Sequence, residues 1–361
     1  MTGHITVHGP GEVLAVLPYQ LGYHPAESVV LVAFEGRRVG LVARCDIPSP
    51  DAVPDAVDAL LEPVVREEFG AALVVGYEAE AGDCEPLLLA LVDALEAERV
   101  RIVHVAVVRD GRHYSPVCFE PCCPPEGAPV PEAAGVPAVA ELVALGRAPL
   151  PSRDDVSRLV EAHGGHPAVV ARLLGRRPAS RGEASVRAWA RVLAPPVPDA
   201  ERQHMGGLPP RVVADAAAGL TDIGWRDGLI GWLAPGVLPR DALQPAVVAR
   251  LERSLPRWAG MGGWDRAPVA GPDRSVLLER LLALCRAVPD ECPGAAAAVC
   301  TVAAHVAWAD GEGAVTRVAL ERALRLDPTY RLAGLLAGLV DHGLRLAARP
   351  GEERGALGMA G

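Results

Sequence analysis

Two short segments carry side chains that could do chemistry together. Leu21-Gly-Tyr-His24-Pro-Ala-Glu27-Ser28 runs into a dense apolar stretch, and Arg44-Cys-Asp46 closes the next one. An imidazole, a hydroxyl, a guanidinium and two carboxylates in one place can bind an anion or organise proton transfer. They meet only if the chain doubles back near Gly36-Arg37. That turn sets Ser28 opposite Cys45 and Glu27 opposite Asp46, within a residue. His24, Glu27, Ser28, Arg44 and Asp46 are therefore the candidate binding pocket. In an enzyme acting on a small anionic substrate, a hydrolase or transferase, His24 serves as acid or base. Arg44 is then the anion clamp, and Asp46 or Glu27 the orienting carboxylate. The same groups can instead lock a domain corner, with Arg44 paired to Asp46 or Glu27 and His24 capping backbone. A Ser28-His24-Asp46 triad can be drawn, but no Gly-x-Ser-x-Gly elbow supports it.

A second cluster is Cys118-Phe-Glu-Pro-Cys122-Cys123, three thiols in six residues. With His113 or His104 as fourth ligand it suggests a metal or redox sensor, although the spacing is not the paired C-x₂-C of zinc ribbons. Adjacent Cα atoms lie about 3.8 Å apart, too close for an ordinary Cys122–Cys123 disulfide. Cys118 and Cys122 can bridge if the loop turns back, and a tight Cys/Pro turn of packed thiols is the plainer alternative. A third is the run Arg172, Arg176, Arg177, Arg181, Arg187 and Arg191, with one Glu, a net of +5. It reads as a solvated helical face or as an anion or partner patch.

The elements that must position these groups follow from periodicity. Residues 11–21 suggest a short helix broken by Pro18. Ser28–Phe34 and Val39–Asp46 read as strands joined by a turn, an antiparallel hairpin. Residues 55–69 read as an amphipathic helix that Pro63 should kink or split. A strand at 71–77, a helix at 85–98, a strand at 101–108 and a short return strand at 112–117 complete the alternation. Strands alternating with helices predict an α/β domain over 1–120, with a mixed, mostly parallel sheet of about five to six strands and helices on both faces. Residues 121–138 are a Pro-rich connector, 139–348 an all-α domain, and 349–361 a frayed tail. In the helical part, Thr221 or Asp222 caps a helix with Arg226 as the i,i+4 partner of Asp222. Residues 308–330 read as a helical hairpin.

Composition removes several functions. All 35 basic residues are Arg; there is no Lys and no Asn. Schiff-base chemistry with pyridoxal phosphate, P-loop phosphate binding and the Ser-x-x-Lys acyl enzyme are thereby excluded. The net charge of −10 argues against a general nucleic-acid binder. Residues 51–99 alone hold thirteen acids against two Arg. No 18-residue apolar stretch predicts a membrane span, and Met1–Pro10 does not resemble a signal peptide, so a cytoplasmic protein is expected. Eight Cys are too sparse for a disulfide scaffold.

The chain resembles an uncharacterised actinobacterial family, the domain of unknown function numbered 4192. The likeness rests on Leu17-Pro-Tyr-Gln-Leu-Gly-Tyr-His-Pro-Ala-Glu-Ser28, Arg44-Cys-Asp46 and Cys122-Cys-Pro-Pro-Glu-Gly127. Arg226-Asp227 and the stretch from Trp308 through Asp327-Pro-Thr-Tyr330 add to it. The resemblance implies a bacterial cytoplasmic protein and carries over no catalytic residue and no cofactor. From the residues, a small-molecule- or protein-binding, regulatory role is expected.

Overall fold

The computed structural model describes residues 5–118, 123–163, 165–176, 182–194, 207–256, 264, 274–346 and 357–359. They fall into two compact units. The first holds the residues up to Arg153 together with Asp341–Leu344 and 357–359; the second holds 154–340 and 345–346.

In chain order the first unit comprises β1 (Ile5–Val7), α1 (Pro10–Leu21), β2 (Ser28–Glu35), β3 (Arg38–Asp46), α2 (Val53–Arg66), β4 (Ala71–Tyr77), α3 (Glu85–Ala97), β5 (Arg101–Arg109), β6 (Arg112–Tyr114), β7 (Ala128–Pro129), α4 (Pro137–Ala144) and, from the far end of the chain, β8 (Leu357–Met359). The sheet order is β1-β8-β3-β2-β4-β5-β6-β7. Val30, Val32 and Phe34 of β2 pack under α1 and α4, and Val29, Leu31 and Ala33 pack under α2 and α3. A strand buried on both faces needs apolar side chains at every position, which is why Ser28–Phe34 reads as a continuous β-branched run.

The sheet corrects the mostly parallel expectation: it is mixed and mostly antiparallel. Only β4–β5 and β1–β8 are parallel neighbours. The crossover through α2 leaves β3 and returns as β4, in the same direction. However, β2 lies between those strands and pairs antiparallel with both. Alternation of strands and helices sets strand direction but not adjacency. Two further segments differ from expectation. Within the predicted connector, Ala128–Pro129 pairs with β6 and Pro137 opens α4. Within the predicted frayed tail, Leu357–Met359 pairs with β1 and touches β3. Strands of two or three residues carry no period to read. Pro18 and Pro63 do not break their helices; both lie near the C-terminal ends of α1 and α2, where few i→i−4 bonds remain to be lost.

The β2–β3 hairpin starts in the expected register, Glu35 opposite Arg38, then shifts by one between Phe34 and Ala33. Gly40 is the extra residue of this bulge. A Cβ on Gly40 would overlap the ring of Phe69. The glycine thus lets β3 shift register while Phe69 closes the core beneath it.

The second unit is helical: α5 (Arg153–Arg158), α6 (Pro167–Gly175), α7 (Gly182–Val192), α8 (Pro210–Gly219), α9 (Ile223–Leu233), α10 (Pro245–Ser254), α11 (Arg274–Ala287), α12 (Pro293–Asp310), α13 (Gly313–Leu326) and α14 (Arg331–Asp341). Arginines tie it together by donating to carbonyls at helix ends. Arg280 reaches Val192 O at 3.2 Å, Arg274 reaches Leu233 O at 3.1 Å, and Arg286 reaches Leu159 O at 2.9 Å. These carbonyls lack intrahelical donors and sit at the negative pole of the helix dipole, so a guanidinium satisfies both needs. Arg322 is the most enclosed, at 2% exposure. It donates to the carbonyls of Val160, Cys285 (2.7 Å) and Val288 (2.8 Å), and pairs with Asp290 at 2.7 Å.

Two outcomes follow. Gly40→Ala is expected to lower unfolding free energy by about 1–3 kcal/mol through the forced contact with Phe69. Urea unfolding checks this, and Phe69→Leu in the same chain should recover part of the loss. Arg322→Leu strands several buried carbonyls at once and should cost about 3 kcal/mol or more. Asp290→Asn, at a half-exposed position, should cost clearly less by the same measurement.

Candidate functional site

Strand registers place one row of side chains across a single end of the sheet. This end is formed by the start of β2 and the carboxyl ends of β3, β4 and β5. Asp46 on β3 faces Ser28 on β2, Ser28 faces Tyr77 on β4, Tyr77 faces Val108 on β5, and Val108 faces His113 on β6. Directly paired residues project to the same face, here the face covered by α1 and α4. Arg44, two residues before Asp46, shares that face one row further in.

Of the five residues expected from sequence, Ser28, Arg44 and Asp46 lie at this end of the strands, and His24 and Glu27 lie in the loop that leads into β2. Ser28 is fully buried and Arg44 is 12% exposed along its side chain, whereas Asp46 is 70% exposed. His24 and Glu27 are also exposed. Ser28 faces Asp46 rather than Cys45 because of the Gly40 bulge. Arg44 holds Asp46 at 2.6 Å, donates to Ala26 O at 3.2 Å and lies 5.9 Å from the centre of the buried Tyr23 ring. The loop that carries His24 is pinned to the chain at Leu150. His24 N donates to Leu150 O, and Leu150 N donates to Gly22 O. Glu27 turns the chain into β2 with a left-handed φ of 42°.

Among the described residues, the buried Ser28 Oγ, Tyr77 OH and Arg44 Nε at this end find no hydrogen-bond partner, and neither does Gln20 Nε2 of α1, the helix that covers this face. Tyr77 is 8% exposed, and burial pushes its phenol well above the ordinary value, so it stays protonated. Gln20 sits in the last turn of α1, three residues before Tyr23. Sequence reasoning missed Tyr77 and Gln20. Tyr77 ends an otherwise apolar strand, and that polar terminus opposite Ser28 was the available signal.

The other face at the same end is chemically closed. Glu78 follows Tyr77 and accepts from Gly82 N at 3.0 Å, Cys84 N at 3.4 Å, Cys84 Sγ at 3.2 Å and Arg109 at 2.5 Å. Arg109 also lies over Tyr114, 4.9 Å from the ring centre. Burial and the adjacent Glu78 carboxylate push the Cys84 thiol up to about 12. Glu78 therefore occupies the amide cradle before α3, where an α/β sheet commonly receives a phosphate.

The remaining sequence candidates lie partly outside the described residues. Cys118 and Cys123 are half-buried, and Cys122 lies outside the described residues. Among the described residues, no three His, Cys, Asp or Glu side chains are grouped to hold a metal ion. Arg172 and Arg176 are exposed at the end of α6, and Arg177 and Arg181 lie outside the described residues. Asp222 caps α9 by accepting from Trp225 N at 3.1 Å. Arg226 does not pair with it, as i,i+4 spacing suggested. It turns to Asp227 at 2.8 Å and to Tyr330 OH at 3.3 Å. No helix among the described residues is long and apolar enough to cross a membrane.

A family model described as domain of unknown function DUF4192 matches residues 10–346. The chain belongs to that family. The DUF4192 match takes in the α1–β3 segment and everything from α9 to the end of α14. No curated protein and no solved structure matches the chain.

Three histidines in this DUF4192 member are held toward the neutral form. Burial lowers His104, with His113 nearby adding to it, and burial lowers His113 and His305. His305 Nδ1 donates to Thr301 O at 2.8 Å, which fixes its tautomer. Because the folded values lie below the ordinary 6.5, the unfolded chain takes up protons first as pH falls. Stability is then expected to decline as pH falls below the ordinary histidine value and until it passes below the lowered folded ones. Urea midpoints across that interval check this, and His104→Gln should flatten the slope.

Proposed function

We propose that the chain is a bacterial cytoplasmic binding protein that holds one small polar molecule at the sheet end of Ser28, Tyr77 and Arg44. His24, Glu27 and Asp46 form its solvent-facing rim. The observation that carries this reading is the set of buried, partnerless atoms Ser28 Oγ, Tyr77 OH and Arg44 Nε on adjoining strands. Each buried polar group without a partner costs about 1–3 kcal/mol. Keeping them together makes sense where a guest molecule supplies the missing bonds. Ser28 Oγ touches no base, so the arrangement favours binding over acyl transfer. A regulatory role, with occupancy read by a protein partner, extends the same reading.

Purification without harsh washing, followed by mass spectrometry of released small molecules, tests this directly. Wild type should yield a stoichiometric compound that the Ser28→Ala/Tyr77→Phe double variant lacks. Stripped of ligand, that variant should be as stable as wild type or up to about 1 kcal/mol more stable, since it loses hydroxyls that bond nothing. A marked loss of stability together with no bound compound would show instead a structural lock.

A further inference from the structure

The chemistry of the same sheet end selects a kind of ligand. Ser28 Oγ, Tyr77 OH, Arg44 Nε and Gln20 Nε2 all offer hydrogens, and none has an acceptor in the protein. Arg44 Nε–H can only donate. Tyr77 is buried among apolar side chains of the α1-covered face, which keeps its phenolic hydrogen in place. Ser28 and Tyr77 face each other on neighbouring strands, so their Cα atoms are about 5 Å apart. Both side chains rise from the same face of the sheet, and a guest with two separated acceptor oxygens can meet the short Ser28 hydroxyl and the longer Tyr77 one.

A group that accepts several hydrogen bonds and offers none fits such a set, and an ionised carboxylate has about four acceptor positions on two oxygens. The charge at hand also limits the choice. Arg44 is the cation of this corner, and Asp46 at 2.6 Å already offsets part of it. His113, at the far end of the row, is held toward its neutral form by burial. A phosphate dianion would find too little positive charge. The amide cradle at the start of α3, which might have served it, is filled by the Glu78 carboxylate. A neutral amide can accept from these groups with its one carbonyl oxygen and donate to the two hydroxyls, but it brings no negative charge to the donor-only Arg44 Nε–H.

Resting on the ligand-binding reading above, we infer that this sheet end is a carboxylate subsite. Ser28 Oγ–H, Tyr77 O–H and Arg44 Nε–H grip the carboxylate of a small organic acid, and Gln20 Nε2 stands as a further donor.

The test uses the intact chain labelled with ¹⁵N at arginine, stripped of bound compounds. Acetate, its neutral isostere acetamide and inorganic phosphate are titrated separately while the Arg44 Nε–H resonance is followed, assigned by its loss in Arg44→Lys. Acetate should shift that signal saturably, with acetamide and phosphate leaving it nearly unmoved at equal concentration. Ser28→Ala and Tyr77→Phe, checked for unchanged melting, should each weaken acetate binding by roughly tenfold, the scale of a hydrogen bond to a charged group. An unmoved signal with acetate, or an equal response to acetamide or phosphate, overturns the carboxylate assignment. If wild type still yields a neutral compound that the double variant lacks, the binding reading stands and the carboxylate class alone falls. If no compound is retained and no probe binds, both fall.

Discussion

The fold depends on β2 being paired along both edges and buried on both faces. Val29 through Phe34 leave no position for water, and the neighbouring strands β3 and β4 run antiparallel to it in a register that this burial fixes. A slip of one residue would exchange the two apolar faces, each already matched to its own pair of helices. That rigidity is what makes the transverse row Asp46–Ser28–Tyr77 a dependable geometry. The polar atoms sit where the apolar strand begins, and the core behind them fixes their spacing.

The absence of lysine shapes both units. Every cation is a planar fork with several donors, suited to carbonyls and carboxylates rather than to isolated charge. In the helical unit this becomes architecture, with guanidinium groups closing the ends of α7, α9 and α11. Arg322 also joins the α5 end to the α11 end. In the sheet unit the same side chain plays two parts. Arg109 is spent on Glu78 beside the first turn of α3, while Arg44 keeps one buried donor unengaged. The difference is one of partners: Glu78 is enclosed with Arg109, whereas Asp46 stands in solvent and meets only the outer part of Arg44.

Much of this was legible in the chain, and the gaps have physical causes. The hairpin, α2, α3 and the core of β4 and β5 follow from apolar period alone. Helices α7, α8 and α13 follow from period as well, whereas α12, buried nearly all round, is read from its unbroken small apolar run and from end signals such as Pro293 and the left-handed Gly311. The gathering of Ser28, Arg44 and Asp46 was foreseeable from the turn at Gly36-Arg37. Strand adjacency was not, because the placement of β2 between β3 and β4 is decided by tertiary pairing. The one-residue shift at Gly40 was hidden too, since it depends on the Phe69 ring, nearly thirty residues away. Tyr77 was marked only as the polar end of an apolar strand, and its place opposite Ser28 is decided by tertiary pairing. Arg226 shows the reverse error: its helical neighbour Asp222 was the local choice, yet Tyr330 lies within reach only after α13 has folded back.

Strand β8 adds a kinetic consequence. Its partner β1 lies roughly 350 residues earlier in sequence, a very non-local contact. A nascent polypeptide must therefore produce its entire helical portion before this corner of the sheet can close. With β3, β8 shares the single pair Arg38–Gly358, so it leaves most of the outer edge of β3 uncovered, a template for strand addition. Joining of this edge is therefore among the last pairings the growing polypeptide can make.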